Sequence, residues 1–137
     1  MKIALLNPTP IDHYSPCIRS LSAYLKLHGH EVRMIFLPCD NYSTRFTPGY
    51  IKQMKQSLVD DLAEKVADCD LVGVSFLSSM FDVAVQATRA IQKRFPKKHI
   101  AWGGFHASTM PQQALDFVDM VCVGEGEQPF LELANRL

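Results

Sequence analysis

The chain has four cysteines, at 17, 39, 69 and 122, but no CxxC and no CxxxCxxC. Zinc ribbons and thioredoxin-like redox pairs need closely spaced cysteines, so neither chemistry is expected here. A three-cysteine iron–sulfur site is excluded from these residues on the same ground. Cysteines scattered in this way are expected to pack as small hydrophobes. No GxGxxG and no Walker-type loop follows the first apolar run, where Asn7-Pro-Thr-Pro10 stands instead. That removes the common dinucleotide and nucleoside-triphosphate sites. Long apolar stretches are also missing, and Ile3 to Leu6 is far too short for a signal peptide or a membrane span. The expectation is a cytoplasmic protein with no membrane partner. There is no excess of either charge: fourteen basic residues balance fourteen acidic ones. Nothing therefore points to nucleic acid.

What is present is a chain of 137 residues, 47% hydrophobic and 20% charged. One domain over residues 1–137 with a sizeable core is the natural expectation. Two stretches organise it, Ile100-Ala-Trp-Gly-Gly-Phe-His-Ala-Ser108 and Val121-Cys-Val-Gly-Glu-Gly-Glu127. Each is a short apolar run that stops at glycines. Glycine permits positive φ and lets another surface approach the backbone. Ligands of open parallel sheets sit beyond the carboxyl ends of the strands. Gly103, Gly104, Gly124 and Gly126 are thus expected to line a ligand rim.

The remaining elements follow in order. Lys2 to Leu6 reads as a buried strand, stopped by two prolines. Ser15 and Pro16 open a helix with its apolar face on Ile18, Leu21, Leu25 and Leu27, and Gly29 ends it. Glu31 to Leu37 is a second strand, and Pro38 to Gly49 a long loop. Ile51, Met54, Leu58, Leu62 and Val66 mark the next helix. Asp70 to Phe76 is a nearly unbroken apolar strand, as one covered on both faces should be. Leu77 to Met80 is a loop, and Met80, Ala84, Ala87 and Ile91 a further helix stripe. His99 to Trp102 is strand four. Pro111 to Leu115 reads as a short helix, and Asp119 to Val123 as strand five. Phe130, Leu133, Ala134 and Leu137 face one way on a last helix, with Pro129 at its start. Five strand–helix alternations predict a Rossmann-like, flavodoxin-like α/β fold: a doubly wound five-stranded parallel sheet in the order 2-1-3-4-5. The last helix carries no stop signal, which suggests the N-terminal fragment of a longer protein.

Two users of this architecture are disfavoured. A phospho-receiver needs an aspartate where Ser75 stands. A flavodoxin's phosphate loop is rich in Ser, Thr and Gly, which the prolines after strand one do not suit.

Ser75-Phe-Leu77 and Gly103-Gly104 resemble the SxL and GG motifs of cobalamin-binding domains. With Asp70-Leu-Val-Gly-Val-Ser75, Gly103-Gly-Phe-His-Ala107 and Gly124-Glu-Gly-Glu127, the chain resembles the N-terminal B12-binding domain of cobalamin-dependent radical S-adenosylmethionine enzymes. That group includes methyltransferases and an oxidative cyclase. The resemblance implies cobalamin as cofactor, and a downstream radical S-adenosylmethionine domain with a [4Fe-4S] cluster in the full-length protein. It implies that the nucleotide tail lies in a slot between the sheet and its edge loops. Ser75 and Leu77 would contact the tail, Gly103 and Gly104 would leave room for it, and Gly124, Glu125 and Gly126 would border it. The corrin would lie across the loops holding Pro8, Thr9, Ser78 and Ser79, with His106 as a tail or loop contact.

The DxHxxG loop that other B12 domains carry after strand one is absent. Asp12 and His13 are adjacent, with Pro16 in place of the glycine, so His13 is a candidate for cobalt that the resemblance does not carry over. His28, His30 and His99 are expected to be solvated. Glu125 and Glu127 suit a helix N-terminus, and no catalytic residue is assigned. The alternatives are a free-standing corrinoid-carrier or sensor domain, and a flavodoxin-like domain with another ligand.

Overall fold

The computed structural model describes residues 1–9, 15–38 and 53–137, within which strand and helix alternate. The strands are β1 (Lys2–Pro8), β2 (Glu31–Leu37), β3 (Leu71–Ser75), β4 (His99–Gly103) and β5 (Met120–Val121). The helices are α1 (Pro16–Leu27), α2 (Gln56–Lys65), α3 (Phe81–Arg94), α4 (Gly104–Thr109), α5 (Pro111–Leu115) and α6 (Glu127–Arg136). A single 3-10 turn, Ser78–Met80, leads into α3. All strand pairings are parallel, in the order β2-β1-β3-β4-β5. This is the sheet that the strand–helix alternation predicts.

Period-2 alternation divides the strands between two cores. Ala4, Leu6, Val72, Val74, Ile100 and Trp102 pack with α2, α3, α4 and α5. Ile3, Leu5, Leu71 and Ala101 face the other way, toward Ile18 and Leu25 of α1 and Phe130, Leu131 and Ala134 of α6. The first core is built around Trp102, which is fully buried. Its indole donates to Thr88 Oγ1 at 2.9 Å, and its ring stacks on Phe117 and meets Phe76 edge-on. A buried indole N–H needs such a partner.

Several local expectations are corrected. Leu27 is 85% exposed, so the buried stripe of α1 ends at Leu25. Ser15 does precede Pro16 at the start of α1, but its side chain makes no capping bond. Val59 rather than Leu58 is the buried partner of Leu62 on α2, and Met54 is buried ahead of the helix. β5 is only two residues long. On α6, Leu131 is buried, and Leu137, just past the end of the helix, is half exposed. His30 is not solvated: both its ring nitrogens are buried without a hydrogen-bond partner. Cys17 is exposed and Cys69 alone of the described cysteines is buried. The expected loop from Pro38 to Gly49, apart from Pro38, lies outside the described residues, as do Cys39 and Ile51. No helix among the described residues is long and apolar enough to cross a membrane.

Candidate functional site

The parallel strands end on one edge, at Pro8, Leu37, Ser75, Gly103 and Val121. On the α1/α6 face below that edge, Leu5, Gly73 and Ala101 are neighbours in register across β1, β3 and β4. Two small residues side by side lower the floor of the sheet there. One step nearer the edge, Ser75 pairs with Gly103. A cavity of about 390 Å³ opens over this trough, with Ile18 and Leu21 of α1 on one side and Phe130 of α6 on the other. Ser20 Oγ donates to Glu127 Oε1 at 2.9 Å, and the Tyr24 hydroxyl donates to Gln128 Oε1 at 3.0 Å, so α1 and α6 are tied together. Glu127 occupies the first turn of α6, where the helix dipole favours an acid.

The remaining wall is largely bare backbone. A Cβ on Gly103 would meet only Cys122 Cβ at 3.7 Å, one on Gly126 only Cys122 Sγ at 3.9 Å, and one on Gly124 nothing within 4 Å. Gly104 differs. At φ +84° its Cβ would stand 2.7 Å from Ser75 Oγ and 2.9 Å from Phe76 N. Gly104 therefore makes room for the protein's own chain and starts α4, a helix that the apparent turn at the glycine pair conceals. Ser108 of α4 donates to Gly104 O at 2.9 Å and accepts the Gly124 N–H at 3.0 Å.

A second set of contacts lies under the rim. Asn7 Nδ2 donates to Ser75 O at 2.7 Å, joining β1 to β3 beyond the end of their ladder. His106 is buried, stacked on Phe76 with ring centroids 5.1 Å apart and tilted against Phe81. Its Nδ1 is 3.0 Å from Ser78 Oγ, while Nε2 is buried without a partner. Burial pushes its pKa down, which favours the neutral ring. Burial, with Glu127 nearby, pushes the Cys122 thiol up, so it stays protonated at neutral pH.

Of the residues expected from the sequence, Ser75, Gly103, Gly104, Gly124, Glu125 and Gly126 line the cavity together. Pro8, Thr9, Leu77, Ser78 and Ser79 stand at the same edge but outside the lining, and Leu77 is 59% exposed. His106 lies beneath the rim rather than on it. His13, with residues 10–14 as a whole, lies outside the described residues. Among the described residues no cluster of His, Cys, Asp or Glu suits a metal ion. Sequence reasoning missed Cys17, Gly73, Phe105, Ser108, Cys122 and Phe130, all in the lining. The glycine inside the apolar run of β3 was the available signal for Gly73.

Comparisons with known proteins bear on both the family and the fold. The sequence model of the family described as "B12 binding domain" matches residues 3–134. The crystal structure of a novel cobalamin-binding protein from Desulfitobacterium hafniense DCB-2 superposes with a TM-score of 0.67 at 15% identity. That match covers 98% of this chain and 57% of that one, so this chain spans little more than half of its length. At such identity the likeness concerns the fold alone. No curated protein matches the sequence.

Proposed function

We propose, from the premise that this chain belongs to the B12-binding domain family, that its cavity receives the nucleotide tail of cobalamin, with the corrin across the rim above. The observation that carries this reading is the bare-backbone wall. A Cβ on Gly124 would stand in open space, and one on Gly103 or Gly126 would touch only Cys122, at 3.7 and 3.9 Å. A flat aromatic base and its ribose suit such a slot, because the floor residues Leu5 and Ala101 and the flanking Ile18 and Phe130 are apolar and the volume falls within the usual range for small-ligand sites. Ser75 would give the tail a hydrogen bond, and α1 and α6, tied to each other, would exclude water from its base.

When bound, cobalamin supplies a cobalt centre able to carry a methyl group or take part in oxidative ring closure. This chain's own part is to hold and orient it. The motif run from Asp70 to Glu127 supports a downstream radical S-adenosylmethionine domain, carrying a [4Fe-4S] cluster, as the site of reaction. That reading predicts CxxxCxxC in the gene after Leu137, and a gene ending without it would favour a free-standing carrier or sensor.

Titration of this chain with hydroxocobalamin and with cobinamide, which lacks the nucleotide tail, tests the slot. Tighter binding of cobalamin is expected. Equal affinity for the two, or no binding of either, would overturn the reading.

A further inference from the structure

The loop that closes the cavity on the β5 side has few ties to the sheet. β5 pairs with β4 only through Ala101↔Met120 and Trp102↔Val121. The last backbone bond at this edge runs from Cys122 N–H to Trp102 O, at 2.8 Å. Beyond it, among the described residues, 123–126 make no backbone hydrogen bond to β4 or α4. The link is a side chain, the Ser108 hydroxyl, which donates to Gly104 O and accepts from Gly124 N. It joins two glycines of positive φ, +84° and +83°, on two walls of the same cavity. A hydroxyl donates and accepts at one atom, and serine is the smallest side chain that carries one. Ser108 is itself well anchored. Its neighbour Ala107 is fully buried, and the backbone N–H of His106 donates to Phe76 O at 3.2 Å, fixing α4 to the exit of β3.

We propose that Ser108 is a positioning residue that sets the width of the slot for cobalamin's nucleotide tail. The inference rests on the reading of the cavity given above. The hydroxyl acts through Gly104 and Gly124: it passes the rigidity of α4 to the loop at 122–126 and holds the two glycine walls at one spacing. Without it, the Gly124 amide turns to water and the wall loses its register with Ser75 and Gly103.

The experiment compares the parent chain with Ser108→Ala, Ser108→Cys and Ser108→Thr, each titrated with hydroxocobalamin and with cobinamide. Ser108→Ala should weaken cobalamin binding about tenfold, the effect of one bridging hydroxyl, and leave cobinamide within about twofold. Ser108→Thr keeps the hydroxyl and should restore parental affinity. Ser108→Cys, a weak donor and acceptor of similar shape, should fall between and serves if the alanine variant does not fold. General damage to the fold would weaken both corrinoids alike, and that result overturns the proposal. So does parental cobalamin affinity in the alanine or cysteine variant. A parent that binds cobinamide as tightly as cobalamin instead overturns the slot itself, and the role of Ser108 with it.

Discussion

The Ser75 hydroxyl lies 2.7 Å from the point where a Cβ on Gly104 would stand. This contact separates two glycines that look equivalent in sequence. Gly104 has positive φ and no space, whereas Gly124 has positive φ and open space. Replacement of Gly124 by alanine should cost about 1–2 kcal/mol, the penalty of left-handed backbone. Gly104→Ala adds an overpacking term and should cost about 2–5 kcal/mol in all. Removing the Ser75 hydroxyl in the Gly104→Ala background should recover part of the loss, because the contact with Phe76 N remains. Urea denaturation of the three variants measures this, and equal losses at Gly104 and Gly124 would contradict it.

Gly103 behaves in the opposite way. Its φ of −147° is extended backbone that any residue adopts, and a Cβ there meets only Cys122 Cβ at 3.7 Å. Gly103→Val should leave stability within about 1 kcal/mol, since valine suits a strand. The same side chain would fill part of the slot and weaken cobalamin binding by roughly 5- to 150-fold, with cobinamide little changed. Denaturation and the two titrations together check it. A folded valine variant with parental cobalamin affinity would place the tail elsewhere.

Gly73 sets the depth of the floor. A Cβ there would stand 2.8 Å from Phe130 Cζ and 2.9 Å from Leu5 Cδ2. Gly73→Ala should destabilise by about 1–3 kcal/mol, because both neighbours are buried side chains of one core. Phe130→Leu removes the ring and should relieve much of that cost, which a double-mutant cycle reads as coupling. Additive losses would show that the ring is not what the new methyl strikes.

The sheet was legible because its strands are short apolar runs, most of them stopped by glycine or proline, and because the helices between them leave only a parallel arrangement. The cavity's contents were legible only in part. Ser75 and Gly103 are where the motifs put them, and they are register partners. But α4 hides in Gly104-Phe-His-Ala-Ser-Thr109, six residues too few to display a period, behind a glycine that mimics a turn. His106 could not be read as buried because its neighbours are distant in sequence: Phe76 lies just beyond the end of β3 and Phe81 at the start of α3. Leu27 shows the limit of counting apolar residues: it follows Leu25 in the sequence but points away from the face that packs. Ser108 gave no signal at all, since its role depends on Gly124, sixteen residues away.

Stability should fall with acid in two windows. Burial holds His106 below the usual histidine value of 6.5, so the folded state binds fewer protons than the unfolded chain. Its contribution is complete above about pH 6.5 and is lost as pH falls toward the depressed folded value. Asp68 has its pKa lowered from 3.8 to about 2, chiefly by the hydrogen bond from Arg33 and also by Lys2. Its contribution is complete above 3.8 and is lost as pH falls toward 2. His106→Phe should abolish the upper window and leave the lower one. Urea midpoints across the pH range show this, and an unchanged upper window in the variant would assign it to another group.

β1 comes first among the strands of the chain yet lies between β2 and β3 in the sheet. During synthesis it is made early and finished late. A nascent chain that has not yet delivered Leu71 to Ser75 can pair β1 with β2 only, leaving an apolar strand with one open edge. Such edges invite pairing with other chains. Completion of the sheet therefore waits for the second half of the chain. Three of the residues that line the cavity, Gly73, Val74 and Ser75, are delivered on the strand that seals β1.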